Sequence, residues 1–298
     1  MHTSRSRRFL SGLTLCVGWL LFASTALANP PVGLQQETGR GLALGSGMRA
    51  SAISTAALAY NPAALASGRL YHLDGYADYS PNTDTLILGG AIVDSLTSSL
   101  AAGMSARAML AQGNTAPDGF DIRLGAALPI SNAVSIGLSG RYLNITGAKA
   151  LRGADNVDPS TKGITLDASL SITPMDGVRL AFLGYNLVNR HSLYVPVMGG
   201  GSIAVNVGDS LTIGGDFLAD FTTFSRTTFI GGGGLEYVHN TTIPLRLGYL
   251  FDSGRNTHYL GAGIGYNEQK MGVEVGLQQG VSGTNDTRVV ASLRYFVQ

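Results

Sequence analysis

The sequence predicts an all-β fold: a 14-stranded antiparallel transmembrane β-barrel with a short N-terminal luminal plug segment that contains one small helix. Three observations predict it. From residue 68 onward, apolar and polar residues alternate with period two in fourteen segments, most of them near the roughly 9–11 residues that a tilted strand needs to cross a bilayer. Charged residues make up only 13% of the chain and glycine fills 41 of 298 positions, while nothing beyond residue 28 offers the ~18–20 unbroken apolar residues of a membrane helix. The charges that fall inside these segments avoid the apolar face.

Residues 1–28 read as a secretory signal, excluded from the fold. Arg5, Arg7 and Arg8 precede the apolar run 9–23, and Ala26-Leu27-Ala28 supplies small residues for cleavage before Asn29. The arginine pair lacks the spacer of a twin-arginine signal, so the general secretory route is expected. Cys16, the single cysteine, lies inside the apolar run, so the mature chain is expected to carry no disulfide, thiolate metal site or cysteine nucleophile. Loss of three arginines and no acids turns the formal charge from +1 to slightly negative, which leaves no basic surplus to attract nucleic acid.

Residues 29–67 form the expected plug. The stretch 29–36 is Pro-rich and polar, and 39–67 is rich in Gly, Ala and Ser. Met48 to Ala59 is predicted to make about three helical turns, stopped by Asn61-Pro62 because the residue before proline is pushed out of the α region. The segment is too apolar for an exposed tail, and its side chains are too small to build a core alone. It is expected to pack inside the barrel, residues 68–298.

The barrel strands are predicted at 70–80, 85–94, 99–111, 119–129, 133–145, 163–173, 177–188, 200–208, 211–221, 228–238, 243–252, 257–267, 270–280 and 287–297. In the fourth, Phe120, Ile122, Leu124, Ala126 and Leu128 share one face and Asp121 and Arg123 the other. In the ninth, Leu211, Ile213, Phe217 and Phe221 oppose Asp216 and Asp220; in the last, Val289, Ala291, Leu293, Tyr295 and Val297 oppose Arg294. Asp74, Asp78, Arg107, Arg141, Asp167, Arg179, Glu236, Arg246 and Glu274 sort the same way. A soluble sandwich also alternates, but its outer face is usually rich in Lys, Thr and Glu. Here the polar face is sparse and Gly-rich, with acids and arginines in similar number and almost no lysine, which suits a narrow lumen.

The connections agree. If the first strand rises from the periplasm, the even-numbered turns are all short, and the two longest connections, 146–162 and 189–199, fall on the extracellular side. Tyr71, Tyr79, Tyr142, Tyr185, Tyr237, Tyr249, Tyr259, Tyr266, Tyr295 and Phe296 sit toward segment ends, as expected for aromatic girdles.

Asn61-Pro62-Ala63, preceded by the Gly-rich run 41–47 and followed by an up-and-down barrel, resembles the FadL-type outer-membrane transporters of long-chain fatty acids and other hydrophobic compounds, and the related PorV-like barrels. Gly184-Tyr185-Asn186-Leu187 and Glu236-Tyr237 followed by Leu245-Arg246-Leu247-Gly248-Tyr249 are similar to recurring elements of the same group. The resemblance implies a Gram-negative outer-membrane location among membrane lipid, a luminal hatch with Asn61, Pro62 and Ala63 at its pivot, and passive uptake of a fatty acid or other hydrophobic ligand. The chain is shorter than a typical FadL-type transporter, with modest outer loops.

The candidate lumen charges have two readings. Arg107, Arg123, Arg141, Arg179, Arg246 or Arg294 would position a ligand carboxylate; alternatively they pair with Asp74, Asp78, Asp121, Asp167, Asp216, Asp220, Glu236 and Glu274, since buried charges need partners. A PorV-like barrel docking an envelope or secretion partner is the alternative function, and a small-solute porin the third. An apolar lumen cavity open through the wall would point to transport; a filled lumen with an ordered apolar outer loop such as Leu193-Tyr194-Val195-Pro196-Val197 would point to docking. No enzyme is expected, because His191-Ser192, the nearest base and nucleophile, are adjacent and lack an orienting acid. No metal or cofactor is expected either: the histidines are scattered and no Asp-rich loop has calcium spacing.

Overall fold

The fold was taken from a computed structural model, which describes residues 38–45, 47–111, 118–146, 160–192 and 194–297. The predicted signal 1–28 and the first part of the plug lie outside the described residues. Fourteen strands follow one another: β1 (Tyr71–Ser80), β2 (Thr85–Asp94), β3 (Ala101–Ala111), β4 (Asp118–Pro129), β5 (Val134–Thr146), β6 (Thr161–Met175), β7 (Val178–Tyr185), β8 (Met198–Val207), β9 (Leu211–Asp220), β10 (Thr228–His239), β11 (Ile243–Asp252), β12 (Thr257–Asn267), β13 (Met271–Ser282) and β14 (Thr287–Val297). Each pairs antiparallel with its sequence neighbours, and β1 closes on β14 from Tyr71↔Val297 to Tyr79↔Val289. Closure removes both sheet edges, so every strand finds backbone partners on its two sides.

Alternation decides which face is which. Leu124, Leu138, Ile164, Phe182, Phe217 and Leu247 each expose more than half of their surface on the outer wall, where a water-facing sheet would carry polar groups. The outer wall is therefore the lipid face, and the charges turn inward. Tyr79, Tyr237, Tyr249, Tyr266 and Tyr295 point outward as expected of girdles. Tyr185 and Tyr259 correct that expectation: both are buried in the lumen, because each shares parity with the inward-facing residues of its strand.

Residues 38–45 and 47–67 lie within the lumen as two short helices and two 3₁₀ turns: α1 (Gly39–Ala43), the turn Arg49–Ser51, α2 (Ser54–Tyr60) and the turn Pro62–Ser67. The first helix lies along β11–β14, the Arg49 turn against β7–β9, and α2 with its following turn against β1–β6. This is more broken than the single run expected from Met48 to Ala59. Met48 and Ser54 both have positive φ, 61° and 55°, and the amides of Arg49 and Ala50 bond to Asp216 and Ser202 of the wall instead of continuing a helix. The stop at Asn61-Pro62 stands where it was expected.

Small wall residues admit this segment. A Cβ at Gly137 of β5 would overlap the backbone of Pro62 and Ala63, so the hatch seats directly on a strand position that lacks a side chain.

Candidate functional site

The hatch is tied to the wall by polar bonds around nearly the whole circumference. Arg40 of α1 meets Glu236 in a forked pair, Nε to Oε2 at 3.0 Å and Nη2 to Oε1 at 3.1 Å. Arg49 gives its amide and its Nη1 to Asp216, the latter at 2.7 Å, and its guanidinium lies over the rings of Tyr60 and Tyr185 at 5.5 and 5.8 Å. Such a cation between two aromatic faces fixes the hatch without covalent linkage. Thr55 donates to Asp74 at 2.8 Å, and Ser54 Oγ lies 2.8 Å from His72 Nδ1.

Asn61-Pro62-Ala63 sits at the centre of this anchorage. The Asn61 side chain is fully buried and donates to Ser171 Oγ at 2.9 Å and to the Arg49 carbonyl at 3.2 Å, joining one hatch turn to the next. Ala63 donates its amide to Ser169 at 2.8 Å and accepts from Ser135 at 2.9 Å. Arg123 Nη1 caps the end of α2 by donating to the carbonyls of Leu58 at 2.9 Å and Ala59 at 2.7 Å, a cation placed where a helix presents its free carbonyls. The Tyr185 hydroxyl donates to the Tyr60 carbonyl.

The lumen charges resolve into groups. Glu236 takes both Arg40 and Arg246, Arg246 reaches Glu274 at 2.9 Å, and Arg294 bridges Glu274 at 3.5 Å and Asp74 at 3.3 Å. This chain of alternating sign runs from α1 round β10, β11, β13, β14 and β1 to Thr55 at the start of α2. Asp121 holds Arg107 at 2.8 Å and Arg141, Arg123 lies 3.4 Å from Asp167, and Arg288 pairs with Asp78 through Nε at 2.9 Å. Arg40, Arg49 and Arg288 were missed as site residues. Arg288 has the parity of Arg294, and the two hatch arginines stand out in a segment whose only other charge is Glu37, so both signals were present.

Two predicted charges do not join these groups. Asp220 caps its own turn, accepting from the amides of Thr222 and Thr223, each at 3.0 Å. Arg179, near the start of β7, makes no hydrogen bond or ion pair among the described residues.

The outer end of the lumen, where the odd-numbered connections lie, is closed differently. Beyond β7 the chain turns at Asn186, whose φ is 53° and whose Nδ2 donates to the Pro196 carbonyl at 2.8 Å. The connection to β8 then folds inward. Tyr194 and Val195 are 4% and 0% exposed, packed with Leu42 of α1 and with Tyr76, Ile87, Met109, Leu143, Ile145 and Val290 of the wall. Leu193 lies outside the described residues. The apolar loop considered as a docking surface is thus turned into the barrel.

On the lipid face, a dent of about 440 Å³ lies over β7–β10, lined by Leu180, Phe182, Gly201, Ile203, Gly215, Phe217 and Gly232 with Ala181, Ser202 and Asp216 behind them. The wall is thin here because Gly201 and Gly215 stand where outward side chains would, and Gly232 faces the hatch without a side chain on the inner side. The Arg49 turn is bonded to Ser202 and Asp216 on its inner side.

The chain matches no family model and no curated protein in sequence. Its fold does match solved structures. It is similar to the toluene transporter TbuX of Ralstonia pickettii, with a TM-score of 0.65 at 14% identity over 89% of this chain and 99% of that one. The monoaromatic hydrocarbon channel CymD gives 0.63 at 14% identity over 92% and 98%, and a FadL homologue of Pseudomonas aeruginosa 0.60 at 12% identity over 90% and 99%. The resemblance expected from Asn61-Pro62-Ala63 and the strand count is therefore met at the level of architecture: the chain has the fold of the FadL-type outer-membrane transporters of hydrophobic compounds.

Proposed function

We propose that this chain resides in the Gram-negative outer membrane after cleavage of residues 1–28 and mediates passive uptake of hydrophobic compounds, long-chain fatty acids among them. The observation that carries the reading is the apolar cluster of Leu42, Tyr76, Ile87, Met109, Leu143, Ile145, Tyr194, Val195 and Val290, which brings the inward loop, the hatch and the wall together apart from the two apolar clusters that seat the rest of the hatch. Each CH₂ kept out of water there is worth about 0.8 kcal/mol, so a lipophilic solute gains by lodging where loop and hatch meet.

An exit through the thin wall over β7–β10 spares such a solute an aqueous step. The Arg49 turn covers the inner side of that wall, and Asn61 holds the turn through its bond to the Arg49 carbonyl. Moving the Asn61–Pro62 junction would uncover it. For a carboxylate-bearing cargo, Arg179 is the side chain of the predicted set left unengaged among the described residues.

The docking alternative has less support, since Tyr194 and Val195 are buried and not offered to a partner. A non-enzymatic role is also the better reading. Ser192 Oγ accepts from the Tyr194 amide, and beside the Ser54–His72 pair Asp74 is taken by Thr55 and Arg294.

The test is uptake of a labelled hydrophobic compound by cells carrying the Asn61→Ala, Pro62→Ala double variant. Uptake should fall severalfold at an unchanged amount of protein on the surface. Normal uptake in the variant would remove the gating role, and no uptake even by the unaltered protein would overturn the transport reading.

A further inference from the structure

At the outer end of the lumen, four inward-facing side chains on β12, β13 and the connection to β14 carry polar atoms that no described residue satisfies. Thr257 and Tyr259 occupy successive inward positions of β12, 0% and 4% exposed. Tyr259 stands opposite Gly280, and Gly280 donates its amide to the Asp286 carbonyl at 2.7 Å, so Tyr259 and Asp286 flank a position with no side chain, onto which Thr284 packs. Gln278 is the next inward residue of β13, 4% exposed, and Asp286 is 5% exposed. The Thr257 hydroxyl, the Tyr259 hydroxyl, Gln278 Nε2 and both carboxylate oxygens of Asp286 lack a hydrogen-bond partner among the described residues.

Buried polar groups are ordinarily paired, and leaving one unpaired costs about 1–3 kcal/mol. The nearby cations do not relieve Asp286. Arg255 is held by Asp252 through Nη1 at 2.8 Å, although its Nε is itself without a partner among the described residues, and Arg288 is held by Asp78. Burial pushes the Asp286 carboxyl up to about 6, while the Asp286 backbone amide donates to Thr284 Oγ1 at 3.2 Å.

The unsatisfied set dictates what would fit. Asp286 accepts, Gln278 Nε2 donates, and the two hydroxyls do either. An ammonium would serve Asp286 and leave Gln278 unmet, while a carboxylate would face Asp286 with like charge. A hydroxyl both donates and accepts. Val290, the next inward residue after Arg288 on β14, belongs to the apolar cluster, so an apolar body attached to that hydroxyl would reach the cluster.

We propose that Thr257, Tyr259, Gln278 and Asp286 form a subsite for the hydroxyl group of a neutral, otherwise apolar compound, an alcohol or a phenol. The proposal rests on the uptake reading above and adds a class of neutral, hydroxyl-bearing cargo to it.

The two are separated by a pair of probes that differ by one hydroxyl, p-cresol and toluene, titrated against the purified protein in detergent by calorimetry. The unaltered barrel should bind p-cresol about tenfold more tightly, the effect of a pair of hydrogen bonds. In Asp286→Ala and Gln278→Leu, each checked for the gel migration of a folded barrel, that ratio should fall toward one. Equal binding of the two probes by the unaltered protein overturns the subsite and leaves uptake standing, as does a preference that survives both substitutions. Binding of neither probe overturns the subsite, and the uptake reading is then decided by the cellular uptake assay above.

Discussion

Asp121 concentrates the energetics of the lumen in one side chain. Its Oδ2 accepts from Arg107 Nη2 at 2.8 Å and from Arg141 Nε at 2.6 Å, with all three groups buried. Asp121→Asn would remove the negative charge that lies between the two buried cations of β3 and β5 while keeping the size of the side chain. We expect a loss of roughly 3–5 kcal/mol in denaturant unfolding from lipid vesicles, the usual cost of breaking a buried pair by removing one partner. Replacing all three residues by apolar side chains of similar size should recover most of that loss, because the desolvation cost then disappears as well. Parity along the chain already placed Asp121, Arg107 and Arg141 on the lumen side. The partners were not readable from it, since Arg107 lies directly opposite Asp121 whereas Arg141 lies opposite Arg123 and reaches Asp121 diagonally. Pair choice depends on strand stagger, which one sequence leaves open. Asp220 shows the same limit: it has the parity of a lumen charge and spends its oxygens on its own turn.

Among the elements, the strands were the legible part. Period-two alternation names both the strand and its faces, and β2, β11, β12 and β14 run over the same residues as the segments read from the pattern. β7 departs from it. The alternation continues to Val188, but the strand ends at Tyr185 because Asn186 turns with positive φ and anchors the inward loop through Pro196. The hatch was legible only as composition. Its Ala, Gly and Ser residues pack on all sides, so no periodicity separates one face from another, and the breaks at Met48 and Ser54 follow from wall partners distant in sequence. That dependence yields a test at Gly137. A branched side chain there, as in Gly137→Val, would occupy the space of the Pro62 and Ala63 backbone and push the turn off β5. The barrel ladder between β4 and β6 needs no change, so the strand content should persist. Single-channel recordings in a planar bilayer should then show ion conductance rising well above that of the unaltered barrel.

At the scale of the whole molecule, two closures of different character meet in one lumen. The inward loop seals the outer end with apolar contacts, which a hydrophobic solute can replace in kind. The hatch has apolar contacts of its own with the wall, but it is held in addition by directional bonds and ion pairs, which such a solute does not replace. A solute lodged under Tyr194 and Val195 would therefore exchange one apolar neighbour for another at the loop, while onward passage would require polar bonds to the hatch to open. The step that limits uptake is then hatch movement. A reversible lock tests this directly. Ala50 donates its amide to Ser202 Oγ at 2.7 Å across the boundary between hatch and wall, behind the thin patch over β7–β10. The sequence contains one cysteine, Cys16, within the segment read as the signal, so an Ala50→Cys, Ser202→Cys variant would carry a single reactive pair after cleavage. Oxidised, the variant should take up a labelled hydrophobic compound severalfold more slowly than when reduced, with each single-cysteine variant indifferent to reductant. If oxidised and reduced forms transport at the same rate while the disulfide is demonstrably formed, the Arg49 turn is a fixed part of the wall and the path lies elsewhere in the barrel.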